Sequence, residues 1–439
     1  MEGGFRGWPR SARQARGHAI VLAIVLWIAA SVVTFSGSDD RSIAGPLKGA
    51  DFVHFYTLGQ LARSHQIASM YDAQAFHQAQ VDLVPESRAD IYPPVYPPQA
   101  ALLFAPFGGS SYRGALLLWC VCTIVLYALV LWGVWRRVAG LLPDRVFVIA
   151  AAAAFPPFWS VILYGQVTIV PLVAFWAGWL ALERRRPYLA GLAFGLLALK
   201  PQLGIPLAVV VLACGEWAML AGAVSSVAVQ AIAVWLMLGP SVFRAFVEYL
   251  PVTVAHVDAL EAKPFLSHSL RALTRLAPTW IGLPLWLAVA AAVLWYTVRL
   301  WRSRAPTQVR VGAVILASIL VSPHLIVYDV TLLALPLLWF GAYVQERRDP
   351  DASATYWTTV YWLFAALLMP TAAVIGVQVS VLLMAWLFVQ ITRAALTAAD
   401  LAPAGIHDRT SLDPGSHRHG SASHRHAPTG VLADPSPSA

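Results

Sequence analysis

The chain has 439 residues, of which 59% are hydrophobic and only 12% charged, and its mean hydropathy is +0.65. A soluble protein carries about a quarter of its residues charged, so this composition excludes one and points to a lipid bilayer. The formal net charge of +8 does not imply a nucleic-acid partner. The positive residues sit mainly in short loops between apolar runs, as the positive-inside rule expects.

Residues 1–19 read as a basic cytoplasmic N-terminus carrying Arg6, Arg10, Arg13 and Arg16. The apolar run 20–35 follows without a small-residue cleavage site and is expected to remain as a first span. Further candidate spans lie at 114–135, 146–163, 167–182, 188–199, 203–213, 217–238, 281–300, 311–321, 327–344, 356–370 and 376–391. With the N-terminus inside, the clusters Arg136/Arg137/Arg145, Arg184/Arg185/Arg186, Arg302/Arg304/Arg310 and Arg347/Arg348 all fall inside too. That consistency implies an even number of crossings, and the fold class is an all-α polytopic membrane protein of about ten to twelve transmembrane helices.

The transmembrane domain runs over 20–400, with two sizeable outer loops, 36–113 and 239–280. Three tight turns face the same way: Tyr164-Gly165-Gln166, Lys200-Pro201-Gln202 and Ser322-Pro323-His324. The tail 401–439 is rich in Ser, Pro, Gly and His, cannot bury enough apolar surface to fold, and is expected to be disordered and cytoplasmic. Its His417, His419, His424 and His426 could bind a metal, but a solvated tail with incidental histidines is the plainer account. Cys120, Cys122 and Cys214 are odd in number and lie in apolar runs, which argues against a disulfide framework or a metal site.

Two runs, 188–199 and 203–213, are too short to cross about 30 Å of hydrocarbon at 1.5 Å per residue. They meet at Lys200-Pro201-Gln202. Either they form one proline-kinked helix with a lysine at mid-membrane, or two partial spans that meet below a water-filled cavity. The second arrangement keeps the later basic clusters inside, and broken backbone at membrane depth is tolerated where it lines protein or water.

Polar residues that are not topological anchors gather on the predicted outer face. Asp51 opens the segment Asp51-Phe52-Val53-His54-Phe55-Tyr56 directly behind the first span, and Ile91-Tyr92-Pro93-Pro94-Val95-Tyr96-Pro97-Pro98 closes the segment. A carboxylate there serves either as a helix N-cap or as a catalytic group at the membrane boundary, and one residue can do both. Phe52, Phe55, Tyr56, Gly59 and Leu61 give the following stretch the apolar face of an interfacial helix. Lys200 is one of three lysines among thirty basic residues, the others being Lys48 and Lys263. Its ammonium suits an anionic phosphate, or else it is a snorkelling anchor at a helix end.

His324 lies in Ser322-Pro323-His324-Leu325-Ile326-Val327-Tyr328-Asp329, where Asp329 enters a span and needs a partner or water. His324 can donate hydrogen bonds, or carry charge beside a phosphate; a capped turn with a structural Asp329–Tyr328 pair is the alternative. The Tyr92/Tyr96 platform and Tyr164-Gly165-Gln166 are less specific, because aromatic belts mark membrane interfaces generally. Asp39, Asp40, His54, His65, His268 and Arg271 remain background candidates. No nucleotide-binding glycine loop, zinc spacing or Gly-x-Ser-x-Gly elbow is present.

Several of these pieces recur in order: Asp51-Phe52 with Tyr56, Met70-Tyr71-Asp72, and Ile91-Tyr92-Pro93-Pro94. After them come Gly165-Gln166, Ala190-Gly191 with Leu199-Lys200-Pro201-Gln202, and Ser322-Pro323-His324 near Tyr328-Asp329. Together, from Asp51 to Asp329, they resemble glycosyltransferase family 87, membrane enzymes of the GT-C fold that use polyprenyl-phosphate-mannose donors. The resemblance implies a GT-C-like bundle whose extracytoplasmic loop carries amphipathic helices, sited in a bacterial plasma membrane. No cofactor is expected; no carboxylate pair demands a divalent metal, although a requirement for one stays open. It implies Asp51 as general base, with His324 as a second catalytic group. Lys200, His324 and Gln166 would face the donor phosphate, and Tyr56, Tyr92, Tyr96, Gln202, Tyr328 and Asp329 the sugar or acceptor.

The expected partners are a polyprenyl-phosphate-sugar donor, a lipid-linked or glycan acceptor and membrane lipids. The expected activity is hexosyl transfer, of mannose by the resemblance, with inversion. Two other functions compete. A transporter or flippase would want ionisable groups near the bilayer centre rather than at one face. A polymerase or ligase of lipid-linked glycans would draw on Arg88, Arg113 and Arg271.

Overall fold

A computed structural model describes residues 12–401, apart from 38–39, 44, 256–265 and 370. The tail histidines, Asp39 and Lys263 lie outside the described residues. The described part contains nineteen α-helices and no strand. They are α1 (Ala12–Phe35), α2 (Phe52–Arg63), α3 (Ala73–Leu83), α4 (Gln99–Phe104), α5 (Tyr112–Val138), α6 (Arg145–Ala153) and α7 (Pro156–Tyr164). Next come α8 (Ile169–Glu183), α9 (Pro187–Phe194), α10 (Pro201–Cys214), α11 (Trp217–Leu238), α12 (Ser241–Ala255) and α13 (Leu270–Thr274). The last are α14 (Thr279–Arg302), α15 (Thr307–Val321), α16 (Ala334–Glu346), α17 (Pro350–Leu368), α18 (Thr371–Ile375) and α19 (Val379–Leu401).

Each of the twelve predicted apolar runs is largely helical over its described residues. Six helical stretches are long and apolar enough to cross a membrane, and a seventh is the pair α6 and α7, bent by 43°. Four shorter apolar helices stand beside them, among them Pro187–Leu199 and Pro201–Cys214, so the break at Lys200 is real. The chain is an all-α polytopic membrane protein. Local chemistry sets the helix ends: Asp72 accepts from the Ala75 amide at 2.7 Å and Asp144 from the Phe147 amide at 3.0 Å. Proline occupies the first turn of α7, α9 and α10, where its missing N–H costs nothing.

Helices α9 and α11 meet at backbone contact. A Cβ added to Gly191 would lie 1.9 Å from the Met219 carbonyl, and one on Gly222 would lie 2.0 Å from that of Tyr188. One turn along, Gly195 faces Ser226 in the same way. Facing small residues at a four-residue spacing let membrane helices approach this closely, because van der Waals contact is what holds them in lipid.

The two ends of the bundle differ. At one, Arg302 donates to the Ala213 carbonyl, Arg137 lies 5.2 Å from the centre of the Trp179 ring, and Arg347 donates to the Ala394 carbonyl at 2.9 Å. At the other, the described residues of 36–111 pack against the ends of α5 and α7. One expectation is corrected here: α2 is not an interfacial helix, since ten of its twelve residues are buried. Gly59 makes this possible, because a Cβ there would lie 2.5 Å from the Phe104 carbonyl of α4. The amphipathic member is α3, which buries Phe76, Gln80 and Val81 and exposes Ala73, Gln74, Gln78 and Asp82.

Substituting Gly222→Val should lower the thermal midpoint of the detergent-solubilised protein sharply. Overpacking alone costs about 1–3 kcal/mol, and here the added atoms meet backbone that cannot rotate away. An unchanged midpoint would show that α9 and α11 do not pack this closely.

Candidate active site

The site forms where interruptions in three pairs of helices come together: 164–168 between α7 and α8, 199–201 between α9 and α10, and 322–333 between α15 and α16. Gly165 ends α7 in the left-handed conformation, φ +66, and the Gln166 amide closes back onto the Val161 carbonyl at 2.9 Å. A Cβ on Gly165 would sit 2.5 Å from that of Phe52, so this turn presses directly on the start of α2. The backbone of 49–51 is bonded to the same turn. The Gly49 amide donates to the Leu163 carbonyl at 3.2 Å and the Asp51 amide to that of Tyr164 at 3.0 Å. On the other side, the Tyr112 hydroxyl lies 2.6 Å and 2.9 Å from the Lys48 and Gly49 carbonyls.

Asp51 immediately precedes α2, yet its side chain makes no capping hydrogen bond. Its Oδ2 instead accepts from Gln166 Nε2 at 2.6 Å, across 115 residues of sequence. The residue as a whole is half-buried, and its carboxylate lies deep among protein atoms. Burial pushes its pKa up to about 6; the Gln166 bond, the Lys200 ammonium and His324 act against that shift, and Asp329 adds to it.

The neighbouring centre is an ion pair. Lys200 Nζ stands 2.6 Å from Asp329 Oδ1, and the two residues are 2% and 3% exposed. The Thr168 hydroxyl donates to the same Oδ1 at 2.6 Å and lies 3.3 Å from Nζ. The ammonium also lies 4.8 Å from the centre of the Tyr328 ring and 5.9 Å from that of Tyr96. Lys200 therefore does not face open space, as the short spans had suggested. It is enclosed, and its charge is matched by Asp329, which has the partner its position demanded.

His324 is half-buried beside this pair, and the Ser322 hydroxyl donates to its carbonyl at 2.7 Å. Burial holds its imidazole below the usual histidine range; Asp329 opposes that effect, Lys200 and Arg275 reinforce it, and Asp51 opposes it weakly. The turn is anchored from behind by the segment before α13, where the His268 amide donates to the Leu325 carbonyl at 2.9 Å. His268 itself is fully engaged: Nδ1 meets Ser380 Oγ at 2.7 Å and Nε2 meets Gln378 Nε2 at 2.9 Å. Burial pushes its pKa down to about 3, so it stays neutral and ties three loops together.

The remaining candidates separate by place. Tyr96 reaches the cluster, its hydroxyl donating to Gln166 Oε1 at 3.1 Å. Tyr92 and Tyr164 are half-buried and close enough to Asp51 for its charge to be felt at both. Tyr56 points elsewhere, donating to the Ser110 carbonyl at 2.9 Å and packing on Tyr112. Gln202 stands half-buried on the first turn of α10, and among the described residues no hydrogen bond joins it to the cluster. Asp40 pairs with Arg113 at 2.6 Å, away from Asp51, while His54 lies beneath the Tyr92 and Pro93 carbonyls.

Sequence reasoning missed Thr168 and Tyr112. Thr168 carried one usable signal, a polar residue just inside an apolar run and two positions beyond Gln166.

Breaks between the helices of this polytopic membrane protein thus bring the half-buried Asp51 close to a buried ion pair. The profile of Glycosyltransferase family 87 matches residues 95–323, more than half of the chain. The chain belongs to that family, and it is a glycosyltransferase. Tyr96, Gln166 and Lys200 lie inside the matched region, whereas Asp51, His324 and Asp329 lie outside it. No curated protein and no solved structure matches the chain.

Lys200→Met and Asp329→Leu should each lower stability by about 3–5 kcal/mol, because each strands a buried charge. The double substitution should restore most of that loss, as thermal unfolding of the three variants can show. Additive losses would mean that the two side chains are not paired.

Proposed function

We propose that this glycosyltransferase moves a hexose, mannose on the family resemblance, from a polyprenyl-phosphate-sugar to a hydroxyl of a glycolipid or glycan acceptor. The observation that carries the reading is Asp51. Its carboxylate is spared from capping its own helix and held instead by a residue from another helix end, close to a buried ion pair.

An acceptor hydroxyl is a poor nucleophile near neutral pH, so a placed carboxylate that takes its proton contributes about 10²–10⁴-fold. In the step, the acceptor oxygen attacks the anomeric carbon while the bond from that carbon to the phosphate oxygen breaks. The electron pair leaves with the lipid phosphate, the hydroxyl proton passes to Asp51, and the anomeric configuration inverts. One carboxylate suffices, unlike the pair that retaining glycosidases use.

The leaving phosphate gains negative charge, and positive groups fixed near it lower the barrier. Lys200 acts on it through the local field, since its direct contact is Asp329. His324 is the half-buried group beside it, and an arriving phosphate favours its protonated form. The arginine-rich end of the bundle supports a cytoplasmic assignment for that end by the positive-inside rule. The Asp51 end then faces outward across the plasma membrane of a bacterial cell, where a donor already embedded in lipid requires no cytosolic nucleotide-sugar domain.

Asp51→Asn should abolish label transfer from radiolabelled polyprenyl-phosphate hexoses to membrane glycolipid, a fall of about 10²–10⁴-fold with the fold retained. Ordinary transfer in that variant would reject Asp51 as the base. Because burial raises the Asp51 pKa, the active form is the deprotonated one above pH about 6. The rate should therefore climb with pH through a midpoint near that value. A midpoint at about 4, that of an exposed aspartate, would place the carboxylate elsewhere. A cysteine replacing exposed Ala89, in a background lacking the native three, should react with an impermeant maleimide on intact cells. Labelling only after permeabilisation would turn the site towards the cytoplasm.

A further inference from the structure

We infer that Gln166 is the positioning residue for the Asp51 carboxylate, locked so that Oδ2 is held and Oδ1 is left to take the acceptor proton. The inference rests on the reading of Asp51 as the base and adds how that base is aimed. Its ground is a chain of hydrogen bonds whose directions are forced.

A glutamine amide can be turned end for end in its density of neighbours, and only its partners decide which atom is oxygen. Here one partner is unambiguous. The Val167 backbone N–H can only donate, and it lies 3.1 Å from the amide atom assigned as Oε1. The Tyr96 hydroxyl then donates to the same oxygen at 3.1 Å, which fills its two lone pairs. The other end of the amide must be Nε2, and it meets Asp51 Oδ2 at 2.6 Å as a charge-assisted donor.

Gln166 is 2% exposed, so solvent does not compete for these bonds. Gly165, left-handed and pressed on Phe52, fixes the backbone from which the amide projects. The Tyr96 ring is wedged 4.7 Å from Phe55 and 5.4 Å from His54, and its carbonyl accepts from Tyr71 at 2.8 Å. Its hydroxyl therefore cannot follow a wandering amide. The turn also accepts the Asp51 backbone N–H through the Tyr164 carbonyl. Main chain and side chain of the base are thus both referred to 164–167, and a base aimed this way needs no reorganisation when the acceptor arrives.

The groups whose charge acts on Asp51 in this pocket are Lys200, Asp329 and His324, while Tyr92, Tyr164 and Tyr328 stand around it. All stay in place when Gln166 alone is changed, so a pH profile isolates its contribution.

The test compares Gln166→Met, a substitution of similar length, with Tyr96→Phe and Asp51→Asn in membranes carrying a labelled polyprenyl-phosphate hexose and glycolipid. Gln166→Met should lower kcat by about 100-fold, the scale of a misaimed catalytic group, with little change in donor KM. It should also move the acid limb of the pH profile upward, because the bond that favours the charged carboxylate is gone. Tyr96→Phe should shift both in the same direction by less, since the Val167 amide still holds Oε1. An unchanged kcat and pH midpoint in Gln166→Met, with Asp51→Asn inactive, would sink this inference and leave the base intact. A raised donor KM with an unmoved midpoint would also overturn it, assigning Gln166 to the phosphate instead. Activity surviving in Asp51→Asn would fell the earlier reading whatever Gln166 does.

Discussion

Three breaks in apolar helices converge on the contact between Lys200 and Asp329, and neither residue tolerates separation from the other. A lone ammonium or carboxylate buried at 2–3% exposure would cost several kcal/mol by desolvation. The penalty for parting them obliges the ends of α8, α10 and the Val327–Leu333 turn to stay in register. Thr168 adds a third point by bonding the shared oxygen. Everything that touches substrate in the proposed chemistry projects from these ends or from the loop fastened to them. A pair that adds little net stability can still dictate geometry, and that is its part here.

The same contact governs the electrostatics around Asp51. Lys200 and Asp329 act on it in opposite directions, the ammonium the more strongly, so Asp51 sits beside a partly neutralised cation rather than a free one. Its acidity is then decided mainly by how much water reaches it, tempered by the Gln166 bond. Such a carboxylate is ionised at neutral pH yet basic enough to accept a proton in a transition state. Had Lys200 been unpaired and adjacent, Asp51 would be a weaker base and a more firmly ionised one.

The architecture was largely legible in the sequence because apolar length and arginine placement are read directly from composition. The runs named from hydropathy are largely helical over their described residues, and the truncated pair at Lys200 was visible from arithmetic on helix rise alone. The misread helix was α2. Its pattern of Phe52, Phe55, Tyr56 and Leu61 suggested one apolar face, but Gly59 admits α4 at backbone distance and closes off the remainder, a tertiary fact without a local signal. Asp51, Lys200 and Asp329 were each singled out by unusual chemistry for their surroundings, and Gln166 by the family resemblance. Their pairings were not legible, since Asp51 bonds 115 positions away and Lys200 bonds 129 positions away. Tyr56 was drawn in by its nearness in sequence to Asp51, whereas helical rotation sends it towards Ser110.

The burial of α2 also bears on how such an enzyme diversifies. With α2 embedded on nearly every side, drift in its sequence is penalised at once, and the base proposed at its start has little room for tinkering. Tyr92, Tyr164 and His324 are only half-buried. On the proposed reading, an acceptor that comes in past these three can be exchanged for another by changing them while the carboxylate keeps its setting, so descendants of one ancestor can part in taste without parting in chemistry.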